Sequence, residues 1–172
     1  MTCACADDEH RGLVAFRGTR ATLLGEIGRI GMPASDFAVF DAGFRPVRLS
    51  DFRGEKVLVN SFPGLDRDSA LKELADLAKL AAGKGDVRLL AIGMDLPYAL
   101  ERIAADAPAG VLLLSDHRDA DFGRRNGLFM REFRLLARAV LAIDEAGRLR
   151  HQEIVADAAG PADLEKALRA FP

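Results

Sequence analysis

A chain of 172 residues has the length of one ordinary domain and can bury a sizeable core. Its composition, 49% hydrophobic and 29% charged, excludes global disorder, and a net charge of −2 gives no electrostatic grip on nucleic acid or an anionic membrane. No apolar run reaches the roughly 18 residues of a membrane-spanning helix, and the opening MTCACADDEHRG lacks the basic start and apolar stretch of a signal peptide, so a cytoplasmic protein is expected.

Residues 1–11 read as a flexible polar arm, ahead of one domain over residues 12–172. Leu13 to Phe16 and Ala21 to Leu24 flank Arg17-Gly18-Thr19-Arg20 and predict a β-hairpin. Pro33 to Phe40 and Pro46 to Leu49 predict short strands around a turn at Gly43. Lys56 to Phe62 is nearly continuous and β-branched, as a central parallel strand should be, and Pro63-Gly64 stops it. From Ser69, the residues Ala70, Leu71, Leu74, Leu77, Ala78 and Ala81 recur at helical spacing, with Lys72, Glu73, Asp76 and Lys79 on the other side. Asp68 or Ser69 is placed to cap that helix, and Gly83 and Gly85 to end it.

Val87 to Met94 predicts a second buried strand and Pro97 opens a second helix, expected to be packed by Tyr98. Gly110 to Ser115 predicts a third strand, followed by a short helix near Ala120 to Asn126. Leu135 to Ile143 predicts one further strand, which turns through Asp144-Glu145-Ala146-Gly147 into an antiparallel return over Leu149 to Val155. Asp163 to Phe171 predicts a terminal helix. Two strand–helix–strand units, a hairpin and a closing helix imply an α/β fold with a central mixed sheet flanked by helices.

Both cysteines, Cys3 and Cys5, stand in the N-terminal stretch, so residues 6–172 hold no thiol and can form no disulfide. A CxC pair supplies two soft-metal ligands and no closed site. His10, His117 and His151 follow no ligand spacing, and neither a metal nor a cofactor is expected.

Several phrases, in order, resemble the thiol peroxidase branch of the peroxiredoxins: FRGTRATLLGEIGRIGMPASDFAVF, PVRLSDFRGEKVLVNSFPGLD, MDLPYALERI, DFGRRNGL and LLARAVLAIDEAG. The resemblance runs from residue 13 to residue 171 and implies a thioredoxin-like (peroxiredoxin) fold with an N-terminal β-hairpin, a homodimer, and peroxide reduction by a thiolate. The family motif is a proline, three residues, a threonine, two residues and the peroxidatic cysteine. Here Pro63 keeps the proline, Arg67 stands at the threonine and Ala70 at the cysteine. Counting on from Asp95-Leu96-Pro97 puts the resolving position at Ala104, and Arg138 matches the family's active-site arginine.

Peroxide reduction needs a thiolate that attacks one peroxide oxygen and becomes a sulfenic acid. An alanine methyl cannot do this, and Ser69 beside it has no adjacent histidine as a base and reads as a helix cap. The expectation is therefore a pseudo-peroxidase with a binding or regulatory role and a vestigial pocket at Pro63, Arg67, Ala70 and Arg138. One alternative is a peroxidase using Cys3 and Cys5. Another is a small anion-binding module in which Arg67 and Arg138 meet a carboxylate or phosphate at the helix start. Against the latter, Arg67 is expected to point to solvent or to pair with Asp66 or Asp68.

Overall fold

In the computed structural model, which describes residues 8–158 and 160–171, the chain builds two sheets. Strands β1 (Glu9–Phe16) and β2 (Thr19–Leu24) form a hairpin that joins β8 (Phe129–Met130) and β9 (Leu135–Leu136) in the order β1-β2-β8-β9. The main sheet has the order β11-β10-β5-β6-β7-β3-β4. It is made from β3 (Ala38–Phe40), β4 (Pro46–Arg48), β5 (Lys56–Ser61), β6 (Val87–Gly93), β7 (Val111–Ser115), β10 (Ala139–Ile143) and β11 (Leu149–Ile154). Its centre, β5-β6-β7, is parallel, and β10, β11, β3 and β4 join antiparallel. Helices α1 (Asp68–Ala82) and α2 (Pro97–Ile103) form the two crossovers; α3 (Asp121–Arg125) and α4 (Leu164–Arg169) follow.

Alternation along the strands sorts the core into two layers. Val57, Val59, Leu90, Ile92, Leu141 and Ile143 pack with Phe122 of α3 and with Leu23, Met130 and Leu136 of the small sheet. The intervening Leu58, Leu89, Val140 and Ala142 face the other way, onto Leu77 and Ala81 of α1 and Leu164, Ala167 and Leu168 of α4. Ala70, Leu74, Leu77 and Ala81 form the buried stripe of α1, spaced four, three and four residues apart. No described helix is long and apolar enough to cross a membrane.

Several elements differ from the sequence expectations for identifiable reasons. The hairpin starts at Glu9, inside the stretch read as an arm, because Glu9, His10 and Arg11 pair with Leu24, Leu23 and Thr22. The run LLARAVLAI is two strands: β9 belongs to the small sheet, β10 to the main one, and the chain changes sheets at Ala137 and Arg138. Two-residue β8 was not foreseen, being too short to show a period. The strand expected from Pro33 begins only at Ala38, whose amide donates to Asp121. The β3–β4 turn falls at Gly43 as expected, and its left-handed residue is Phe44 (φ 60°), with the Asp41 carboxylate accepting the amides of Gly43 and Arg45. Tyr98 does not pack its helix; it is 67% exposed and meets Phe44 edge-on at 5.2 Å.

Two glycines are fixed by close approach. At Gly25 (φ +111°) a Cβ would lie 1.6 Å from the Arg124 carbonyl oxygen, and at Gly93 it would lie 2.3 Å from Asp95 Oδ2.

Candidate functional site

The site forms where β5 ends and α1 begins, at the carboxyl edge of the parallel strands, the usual place for a site in such sheets. Pro63-Gly64 interrupts the strand, and the Asp95 carboxylate pins the next turn by accepting the Leu65 amide at 2.9 Å. Burial raises the Asp95 pKa, with the nearby Asp66 charge adding to it. Arg67 then occupies the N-cap of α1 with extended backbone and no side-chain cap. The capping role read for Asp68 or Ser69 is thus corrected: both lie inside the helix, in its first turn.

Ala70 is buried among Phe62, Leu65, Leu74, Ala91, Leu100 and Leu113. Its amide donates to the Arg67 carbonyl at 2.9 Å. The methyl therefore completes an apolar cluster rather than lining an opening. The neighbouring cavity, about 340 Å³, is lined by Pro63, Arg67, Ser69 and Arg138, joined by Phe16, Arg17 and Gly18 from the hairpin turn and by Asp157 and Ala158. The structure thus brings together Pro63, Arg67 and Arg138 from the expected set, puts Ser69 on the wall, and sets Ala70 behind it.

Arg138 sits at the seam where the chain leaves β9 for β10. It is 6% exposed, and a buried guanidinium needs a partner. Glu73 of α1 supplies one by accepting from Arg138 Nη2. The amide of Asn60 on β5 donates to the other Glu73 oxygen at 2.9 Å. The guanidinium carbon lies 4.7 Å from the Phe62 ring centroid. Arg138 Nε and Asn60 Oδ1 have no hydrogen-bond partner. Burial lowers the Arg138 pKa, and the Arg67 charge lowers it further. Arg67 is exposed and forms an ion pair with neither Asp66 nor Asp68, so of the two expected arrangements the structure shows the solvent-facing one.

The hairpin turn is held over the cavity by β-bonding to the segment after β11. Ala15 donates to Ala156 at 2.8 Å, and Ala158 donates back to Ala15 at 3.0 Å. Arg17 and Gly18 take the two left-handed positions of a tight hairpin turn, with φ 51° and 79°.

Ala104 lies elsewhere. It follows α2, is exposed, and borders a groove of about 390 Å³ with Asp41, Arg45, Leu100 and Pro108. Cys3 and Cys5 lie outside the described residues. Among the described residues no group of three or more His, Cys, Asp or Glu side chains could hold a metal ion.

Sequence reasoning missed Glu73, Asn60, Arg17 and Asp157. Glu73 was placed on the solvent side of α1, yet it follows Ala70 by three residues and precedes Leu77 by four, which puts it on the buried stripe. Arg17 and Asp157 gave no local signal, since the cavity joins segments about 140 positions apart.

A Redoxin family model matches residues 29–168. Thiol peroxidases of Oceanobacillus iheyensis and Bacillus subtilis are each 34% identical, over 90% and 91% of this chain and 95% of their own lengths. Among solved structures, a thiol peroxidase from Chromobacterium violaceum superposes with TM-score 0.80 at 21% identity, covering 89% of this chain and 91% of that one. A peroxiredoxin-like protein from Aquifex aeolicus superposes with TM-score 0.82 at 22% identity, covering 93% and 96%.

Proposed function

The chain belongs to the redoxin family, in its thiol peroxidase branch, and from that premise we propose that it is a pseudo-peroxidase, keeping the scaffold and the arginine pocket without reducing peroxide. The observation that carries this reading is Ala70. Counted from Pro63, it stands where the family motif has its peroxidatic cysteine, and its methyl is buried in an apolar cluster. Arg138 and the start of α1 remain as positioning groups with no sulfur to position. The resolving position, Ala104, is also without a thiol. On this reading the protein is a cytoplasmic homodimer that acts by binding or regulation.

The competing reading, a peroxidase working through Cys3 and Cys5, is weakened by reach. β1 is paired from Glu9, at the end of the hairpin away from the cavity. The five steps of β2 from Leu24 to Thr19 separate that end from the turn by about 17 Å. Cys5, four residues before Glu9, reaches about 14 Å at full extension. Cys3 reaches about 21 Å, and spanning about 17 Å would require the intervening chain to be drawn nearly straight, at a cost in chain entropy.

The test is peroxide consumption by the purified protein with thioredoxin or dithiothreitol as reductant. We expect no turnover above the free-thiol background. Turnover that disappears in the Cys3→Ser/Cys5→Ser variant would establish the competing reading, and turnover that survives it would overturn both. Sedimentation checks the dimer, which a monomer at micromolar concentration would remove from the proposal.

A further inference from the structure

The lining of the cavity carries a net positive charge, and this inference rests on the pseudo-peroxidase reading above. Three arginines from three separate segments line it: Arg17 from the hairpin turn, Arg67 from the N-cap of α1 and Arg138 from the β9–β10 seam. The single carboxylate on the wall is Asp157. Glu73 neutralises Arg138 from behind, whereas Arg17 and Arg67 form no ion pair among the described residues. One surplus positive charge is therefore left facing the cavity.

Like charges are held together here at a cost. Both Arg67 and Arg138 line the cavity, and the Arg67 charge, after burial, lowers the Arg138 pKa, so the two guanidiniums repel. Where the family motif has a neutral threonine, this chain adds a cation beside an existing one. An anion in the cavity would relieve that repulsion, and guanidinium forks match a carboxylate's two oxygens. Phe16, Pro63 and Ala158 give the wall an apolar part beside the arginines, Ser69 and Asp157, and the volume of about 340 Å³ lies at the small end of ligand pockets. The helix start contributes little, because Ala70's amide is already bonded and Asp68 offsets the dipole.

We propose that this cavity binds a small organic monocarboxylate, its carboxylate held between Arg67 and Arg17 near Arg138 and its short hydrocarbon body against Phe16, Pro63 and Ala158. One surplus charge favours a monoanion, and the apolar part of the wall, Phe16, Pro63 and Ala158, favours an organic anion over inorganic phosphate.

Thermal unfolding of the full chain with phenylacetate or inorganic phosphate, at matched ionic strength in chloride, tests this. At about 100 times its Kd, phenylacetate should raise Tm by about 5–10 °C. The rise should vanish in Arg67→Thr, which restores the family residue, and fall sharply in Arg17→Asn, which keeps a residue tolerant of the left-handed turn. No rise at millimolar phenylacetate, a rise that survives both substitutions, or an equal rise with phosphate would overturn the proposal. Peroxide consumption on the same samples separates the two claims. Silent titrations with no turnover remove the anion site alone, whereas turnover removes the reading beneath it.

Discussion

Replacing Glu73 by glutamine should destabilise the protein far more than a surface change, because it strands a buried cation. The Arg138 and Glu73 side chains are 8% and 10% exposed. In Glu73→Gln the charge partner is gone, while the amide oxygen can still accept from Asn60, so the loss is confined to the ion pair. The Phe62 face, 4.7 Å away, offers about 1–2 kcal/mol to a desolvated guanidinium and cannot replace a carboxylate. Breaking a buried pair by removing one partner costs about 3–5 kcal/mol. At about 2–4 °C per kcal/mol for a domain of this size, Tm should fall by about 6–20 °C. Urea unfolding followed by circular dichroism gives the free energy directly. The double variant Glu73→Gln/Arg138→Met, which removes both charges and keeps an acceptor for Asn60, should recover most of the loss. A loss below about 1 kcal/mol in Glu73→Gln, the level of an exposed pair, would refute the reasoning and mean that solvent in the cavity already screens Arg138.

Asp116 is 1% exposed, accepts the amides of Phe122 and Gly123, and has its pKa raised by burial to about 7. The folded state thus holds this proton more tightly than the unfolded chain, so its stabilisation is complete below about pH 4 and is lost as pH rises through about 7. The distance from 3.8 to about 7 sets its size at about 4 kcal/mol, and Asp116→Asn should show a correspondingly flatter urea-midpoint profile than the wild type across that window. Parallel profiles would sink this assignment. Gly93→Ala should cost about 1–3 kcal/mol by overpacking, since the new methyl would lie 2.3 Å from Asp95 Oδ2 and 3.1 Å from Leu65; calorimetry showing no change would contradict the close approach. Asp163→Ala should cost about 1 kcal/mol, because it deletes the cap that accepts the Lys166 amide at 3.0 Å, and an unchanged urea midpoint would count against that cap.

What could be read in advance followed local chemistry. The apolar β5 run, the period of α1 and the Pro97 start of α2 each bury their own residues, so their signals survive into the fold. The run LLARAVLAI misled because two strands of different sheets are equally apolar, and only the pairing of β9 with β8 divides them. The pocket was legible in Pro63, Arg67 and Arg138, which stand at family motif positions, but Ala70's burial behind Ser69 depends on how the first turn of α1 is rotated. Glu73 was hidden by its residue type: a glutamate on a helix is usually solvated, and here the need of Arg138 decides otherwise.

The bridge between Ala15 and Asp157 joins the first hairpin to the segment beyond the last strand. One rim of the cavity is therefore written near the start of the chain and the facing rim near its end. During synthesis the pocket has no closed wall until residue 158 has left the ribosome, so binding that needs both rims would pass over every shorter nascent form.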